Sequence, residues 1–134
     1  MDKFFEMLEK IKNQPGMYLG KKDLDKLSDF ISCYILTVRE RTGEQIPFIH
    51  QFSIYINHEY QPKWDQIKWW SATILENQSQ EDAFELFYFH LENFKKLIGT
   101  PGLLQIMEKE NLNRNRLEFE QWKLELREED CKNK

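Results

Sequence analysis

Three histidines, two cysteines and an uninterrupted acidic run are the residues of this sequence that could do chemistry. His50, His58 and His90 fall on different expected segments. Metal ligands on one helix or loop keep short fixed spacings, such as H-E-x-x-H or a pair of C-x-x-C, and neither occurs here. Cys33 is expected in mid-helix beside Tyr34, at the edge of the core, and Cys131 near the end of the chain. A nucleophilic thiolate wants a helix N-terminus or a nearby cation, which the mid-helix position expected for Cys33 does not offer. Two isolated cysteines form no disulfide framework, which suits a reducing, cytoplasmic home. Gly-x-Ser-x-Gly, P-loop and Gly-x-Gly-x-x-Gly patterns are absent. The chain therefore reads as a binding protein and not an enzyme, with no catalytic residue, no metal and no cofactor expected.

Carboxylates carry the stronger signal. Glu76, Glu81, Asp82, Glu85 and Glu92 lie in a stretch, 76–92, without a single Lys or Arg. Such a run is either a solvated face with acid placed favourably near a helix N-terminus, or a patch for a basic partner. Trp64, Trp69 and Trp70 stand just before it. If all lie on one helix, Trp69 and Trp70 point about 100° apart, so one of them is partly exposed, and exposed Trp is frequent at binding hot spots. Glu76, Glu81, Asp82, Glu85 and Trp69 are thus the candidate partner-binding residues. The C-terminal acids Glu118, Glu120, Glu125, Glu128, Glu129 and Asp130 form a second candidate surface. A net charge of -4 and a pI near 5.5 argue against general nucleic-acid binding, which needs a basic patch. No apolar run is long enough to span a bilayer, and the charged start Met1-Asp2-Lys3 is not a signal peptide.

The elements that must position these residues are helical. With 134 residues, 40% hydrophobic and 14% aromatic, the chain can bury one core without staples. Gly and Pro are scarce, whereas Glu, Lys, Leu and Gln abound. Phe4, Leu8 and Ile11 predict a first helix over 2–12, ended by Asn13-Gln14-Pro15-Gly16. Residues 13–20 then read as a compact loop in which Met17 and Leu19 plug the core and Tyr18 caps it. Leu24, Leu27, Ile31, Ile35 and Val38 form the cleanest amphipathic stripe, over 23–41, with Asp23 at its N-cap and Gly43 at its C-cap. Residues 47–60 fit a helix by Phe48, Phe52, Ile56 and Tyr60, and a strand by Phe52, Ile54 and Ile56; helix is preferred because no partner strand is visible. A helix over 63–77 carries the tryptophans. Ser79-Gln80-Glu81-Asp82 resembles a capping box and opens a central helix over 80–98. Gly99-Thr100-Pro101-Gly102 is the sharpest break, followed by a short helix near 103–109 and a last segment near 114–129. That segment fits a helix by Phe119, Trp122 and Leu126 and a strand by Leu117/Phe119 and Leu124/Leu126; its composition favours helix. The expected fold is all-α: one domain over 1–134, a compact bundle of five to seven helices, with its core in 2–98 and an extension over 103–129.

The string Pro15-Gly16-Met17-Tyr18-Leu19-Gly20 resembles one loop of the gyrase-type ATPases. That fold also needs an Asn-bearing helix, an Asp-x-Gly-x-Gly loop and a Gly-rich lid, which this chain lacks. A second resemblance spans about residues 4–98. The chain is similar to a group of small bacterial proteins with a Pro-Gly-Met-Tyr-hydrophobic-Gly loop after a first short helix. In that group come next a leucine-rich helix, here Leu24 to Val38, an aromatic segment, a Trp-containing helix, and an acidic start leading to an aromatic run, here Glu81-Asp82-Ala83-Phe84-Glu85-Leu86-Phe87. Its members resemble immunity proteins of contact-dependent growth inhibition and related bacterial toxin systems. The resemblance implies a cytoplasmic protein that neutralises one cognate toxin domain by stoichiometric occlusion, for instance a nuclease with a basic surface. Gln14 stands where the group more often has Arg, and the segment beyond Gly102 has no counterpart. The alternative function is a helical adaptor or regulatory subunit, homodimeric through Phe119, Trp122 and Leu126.

Overall fold

The computed structural model describes residues 1–132. The chain forms seven α-helices and one 3-10 turn, with no strand among the described residues. In chain order these are α1 (Asp2–Asn13), α2 (Pro15–Leu19), α3 (Leu24–Thr42), α4 (Phe48–Tyr60), the 3-10 turn (Trp64–Gln66), α5 (Trp70–Leu75), α6 (Gln80–Ile98) and α7 (Leu103–Lys132). The all-α expectation holds, and so does the choice of helix over strand for 47–60.

Helix starts and stops follow local chemistry. The Asp23 carboxylate accepts the Lys26 backbone N–H at 3.0 Å, which caps α3. The Ser79 hydroxyl does the same for Asp82 at 3.1 Å and caps α6. Gly43 ends α3 with a φ of +75°, a left-handed conformation that costs glycine nothing. Gln61 ends α4 in the same region, at φ +47°, without glycine's freedom.

The core is one aromatic cluster, and Phe52 is its hub. Its ring stacks on Phe48 at 4.9 Å and meets Trp70, Phe87 and Phe94 edge-on at 5.3 to 5.5 Å. Edge-to-face contacts at these distances add to what burial alone contributes. Phe4 of α1 closes on Phe48 at 4.8 Å. Leu24, Leu27 and Ile31 of α3 and Ile74 of α5 complete the cluster. As expected, α6 is central: it buries Ala83, Phe84, Phe87, Tyr88, His90, Leu91, Phe94 and Leu97. The Tyr88 hydroxyl donates to the Leu8 carbonyl at 2.7 Å and ties α1 to α6. The α3 stripe is buried only over its first half, because Ile35 and Val38 are half-buried.

Three expectations need correction. Residues 13–20 are not a loop throughout: Pro15 opens the short helix α2, where its missing N–H costs nothing. Leu19 does enter the core, but Met17 is 70% exposed and plugs nothing. Tyr18 instead sets its ring edge against Phe30 of α3. The expected helix over 63–77 is broken. Lys63, Ile67 and Trp69 have extended backbone, and only Trp70–Leu75 is α-helical. The two segments expected after Gly102 are a single helix of 30 residues, about 45 Å long at 1.5 Å per residue. Nothing in 110–113 breaks it, since Glu110, Asn111, Leu112 and Asn113 are all compatible with helix.

The aromatic hub predicts a graded mutational response. Phe52→Ala is expected to cost about 3–5 kcal/mol, from lost burial and the cavity left behind. Trp70→Phe is expected to cost much less than Trp70→Ala, because the buried Trp70 indole N–H has no hydrogen-bond partner to lose. Denaturant unfolding checks both, and a Trp70→Phe cost equal to that of the alanine variant would contradict this account.

Candidate functional site

The N-terminal ends of α3 and α6 lie side by side, and Gln80 clamps them. Its carbonyl oxygen accepts the backbone N–H of Leu24 at 3.0 Å and of Asp25 at 3.3 Å. Its amide donates to the Asp25 carboxylate at 2.7 Å. One side chain thus serves two of the N–H groups that a helix start leaves open. Nothing in the sequence marked Gln80 out, because its partners lie more than fifty positions away. Trp69 sits at the N-cap position of α5, 48% exposed, with its indole N–H donating to the Ser28 hydroxyl of α3 at 2.9 Å. Trp69 is therefore partly exposed, as expected of one tryptophan, but the cause is an extended segment and not the turn of a helix.

The candidate acids distribute along this edge. Glu81 and Asp82 occupy the first turn of α6, exposed and without an ion-pair partner among the described residues. Glu85 follows one turn later and is bound by Lys22. That contact raises the Lys22 pKa, through the hydrogen bond and charge of Glu85 and then the charge of Glu81. Glu76 is at the C-terminal end of α5 and pairs with Lys68 at 3.2 Å. The stretch 76–92 has no Lys or Arg of its own, but three come from outside it: Lys22 to Glu85, Lys68 to Glu76, and Lys95 to Glu92 at 3.3 Å. The acids of the edge without an ion pair among the described residues are Glu81 and Asp82, with Trp69 beyond the Gln80 clamp.

A second surface is built on α7. Its first half runs parallel to α4 and docks on it through polar contacts. The Asn111 amide donates to the Ile54 carbonyl at 3.1 Å, and Arg114 to the Asn57 carbonyl at 3.1 Å. His58 bonds the Glu110 carboxylate at 2.6 Å. Past Glu118 the helix leaves the body, and 119–132 are exposed. The 3-10 turn braces the point of departure. Glu118 accepts the Trp64 backbone N–H at 2.9 Å, and the Trp64 ring lies 5.0 Å from Phe119 and 5.2 Å from Trp122. Glu118 is half-buried, while Glu120, Glu125, Glu128, Glu129 and Asp130 are exposed, so this second acidic surface is an overhanging helix.

The histidines are accounted for by their neighbours. His90 is buried between two tyrosines, with Nε2 2.8 Å from the Tyr60 hydroxyl and Nδ1 3.2 Å from that of Tyr55. A neutral imidazole has one donor and one acceptor nitrogen, so one tyrosine donates to it and the other accepts from it. Burial pushes the His90 pKa below 6.5, with the Glu59 charge acting the other way. Burial likewise pushes the Tyr55 and Tyr60 hydroxyls up. His50 lies on the surface, 3.6 Å from Glu108. Cys33 and Cys131 are free and exposed, so Cys33 lies outside the core edge expected for it. Among the described residues no cluster of ligating side chains could hold a metal ion, and no helix is long and apolar enough to cross a membrane.

No family model, no curated protein and no solved structure matches the chain.

The buried imidazole predicts a pH dependence of stability. Below pH 6.5 the unfolded chain protonates His90 while the folded chain resists. The unfolded state then binds more protons, so this contribution is complete above pH 6.5 and is lost as the pH falls toward the depressed folded value. The loss is at most about 1.4 kcal/mol per pH unit. Unfolding free energies of the parent and His90→Gln between pH 7.5 and about 5 are expected to converge as the pH falls. Parallel curves would mean that His90 does not titrate in this way.

Proposed function

We propose that the chain is an immunity-type protein that binds one cognate bacterial toxin domain and neutralises it by occlusion, without catalysis. The observation that carries this reading is the rigid acidic edge where α3 meets α6. Glu81 and Asp82 stand there without an ion pair among the described residues, and a half-exposed Trp69 is fixed on α3 by its bond to Ser28. A stoichiometric inhibitor needs a preformed, charge-complementary surface more than it needs a pocket. The Gln80 clamp supplies the preformation, since it fixes the two helix starts that bear the acids. A basic toxin surface, such as the active face of a nuclease, is complementary in charge. The resemblance carried by the Pro15-to-Gly20 loop and the helix order after it points the same way. In this reading the protein acts in the cytoplasm, where the toxin's target lies.

A second reading rests on a different observation. Phe119, Trp122 and Leu126 are about 40% exposed on an overhanging helix. Apolar side chains grouped in this way favour a helical adaptor, or a homodimer through the same stripe.

Co-expression with the C-terminal region of the product of the gene directly upstream separates the two. Neutralisation predicts rescue of growth and a one-to-one complex whose association slows with added salt. Glu81→Lys/Asp82→Lys is expected to reduce the association rate about tenfold or more, beyond a stability cost of about 1–2 kcal/mol from charge reversal at the start of α6. Failure to rescue growth, together with a concentration-dependent dimer in sedimentation that Trp122→Glu abolishes, would replace the inhibitor reading with the adaptor reading.

A further inference from the structure

The second surface is more than an exposed helix. Where the 3-10 turn meets α7 there is a groove of about 510 Å³. Trp64 and Trp122 line it, together with Leu117 and Gln121, and the carboxylates of Asp65, Glu118 and Glu125 lie around them. The only cation on its walls is Lys63. Aromatic faces set among carboxylates form a chemically specific combination. The faces attract a cation by their quadrupole, and the carboxylates attract it by charge. The same aromatic cluster already holds one such cation from within the chain: the Lys123 ammonium lies 4.9 Å from the centre of the Phe119 ring.

We propose that this groove binds an arginine side chain presented by an extended segment of a protein partner. Charge complementarity selects a cation over an apolar or anionic occupant. Shape selects arginine over lysine, because a planar guanidinium stacks on an indole and can bridge to a carboxylate at the same time, whereas a strongly hydrated ammonium does this poorly. Glu118 is partly committed, since one of its oxygens accepts the Trp64 backbone N–H. Glu125, exposed one helical turn past Trp122, accepts only a long bond from the Gln121 amide at 3.4 Å and so keeps its second oxygen open to a guanidinium. Trp64 is the positioning residue: its bond to Glu118 and its contacts with Phe119 and Trp122 hold the wall in place before any ligand arrives. The site is separate from the α3–α6 edge and does not require the partner to be a toxin.

The indole N–H signals of the full chain, followed by NMR, test the proposal. The probes are three capped tripeptides with arginine, lysine or citrulline between glycines. The arginine peptide is expected to shift the Trp64 and Trp122 signals but not those of Trp69 and Trp70. Binding of the lysine peptide is expected to be about threefold weaker or worse, and the neutral citrulline peptide to have no effect. Glu125→Gln lies on an exposed helix surface and is expected to weaken arginine binding about fivefold, the scale of one exposed ion pair. Circular dichroism of this variant is expected to match the parent. Three results overturn the proposal. One is an equal response to citrulline, which would make the groove merely apolar. Another is no shift with millimolar arginine peptide. The third is a shift of the two signals on dilution of the protein alone, which would make the occupant a second copy of this chain.

Discussion

The contact between Phe52 and the rings of Trp70, Phe87 and Phe94 is the constraint on which the rest of the molecule depends. It fixes α4 against α5 and α6 at one depth and one rotation. Once Phe48 and Phe52 are committed to the centre, the helical repeat places Tyr55 and Ile56 inside as well. It turns Asn57 and His58 toward the face where α7 lies. The inner face of α4 is held by close-packed rings, whose loss leaves a cavity. The outer face is held by a few polar contacts from Asn111, Arg114 and Glu110. The two attachments differ in kind. The six-helix core carries most of the apolar burial, and α7 contributes to it only partly buried Leu103, Leu104 and Met107. Helix α7 is thus the element with the smallest apolar attachment for its length, the condition under which an element opens locally without the whole fold.

The connection over residues 61–69 links the two candidate surfaces. It begins where Gln61 takes a left-handed conformation and turns the chain out of α4. Trp64 then braces the departing α7, and five positions later Trp69 reaches Ser28 on α3. A segment with so little regular structure would ordinarily be loose. Here two indoles anchor it at opposite ends, one in the α7 groove and one beside the acidic edge. The tryptophans that a single helix could not have buried together are separated by extended backbone and given different work. Trp70 fills the core, Trp64 builds a groove wall, and Trp69 fixes the edge.

Much of the scaffold was legible in the sequence because its signals are local. Asp23, Gly43, Ser79 and the Gly99–Gly102 break act within a few residues of themselves, and each marks the boundary it was expected to mark. The stripes of α1, α3, α4 and α6 report burial through their own periodicity. The failures share one physical origin, which is that the deciding partner is remote. The stretch 63–77 has helix-compatible spacing, yet its first half is a 3-10 turn flanked by extended residues, tied to Glu118 and Ser28. Met17 and Leu19 look equivalent in a short apolar string, and only the packing of α2 on α1 and α3 separates them. The 114–129 segment is helix, as its composition suggested, but nothing local showed that it continues the helix begun at Leu103. Gln80 was invisible for the same reason.

Charge illustrates the limit of reading a surface along a chain. The stretch 76–92 is purely acidic in sequence, and that purity suggested a one-signed patch. In space, Lys22 from the α2–α3 connection neutralises Glu85, Lys68 from the extended segment neutralises Glu76, and Lys95 one turn on in α6 pairs with Glu92. What remains is a narrower edge, Glu81 and Asp82, in the first turn of α6. There the helix dipole already favours carboxylates, so their presence has a local reason that needs no partner. Their surroundings therefore bear on recognition more than their sign does. A helix start needs only one or two acids, and it needs neither a half-exposed indole fixed by a serine nor a glutamine that locks two helix ends together. Exposed carboxylates contribute little to folding. A cost confined to stability on reversing them would identify them as acids that serve only the helix start, whereas a cost in association would identify them as a surface made for another molecule.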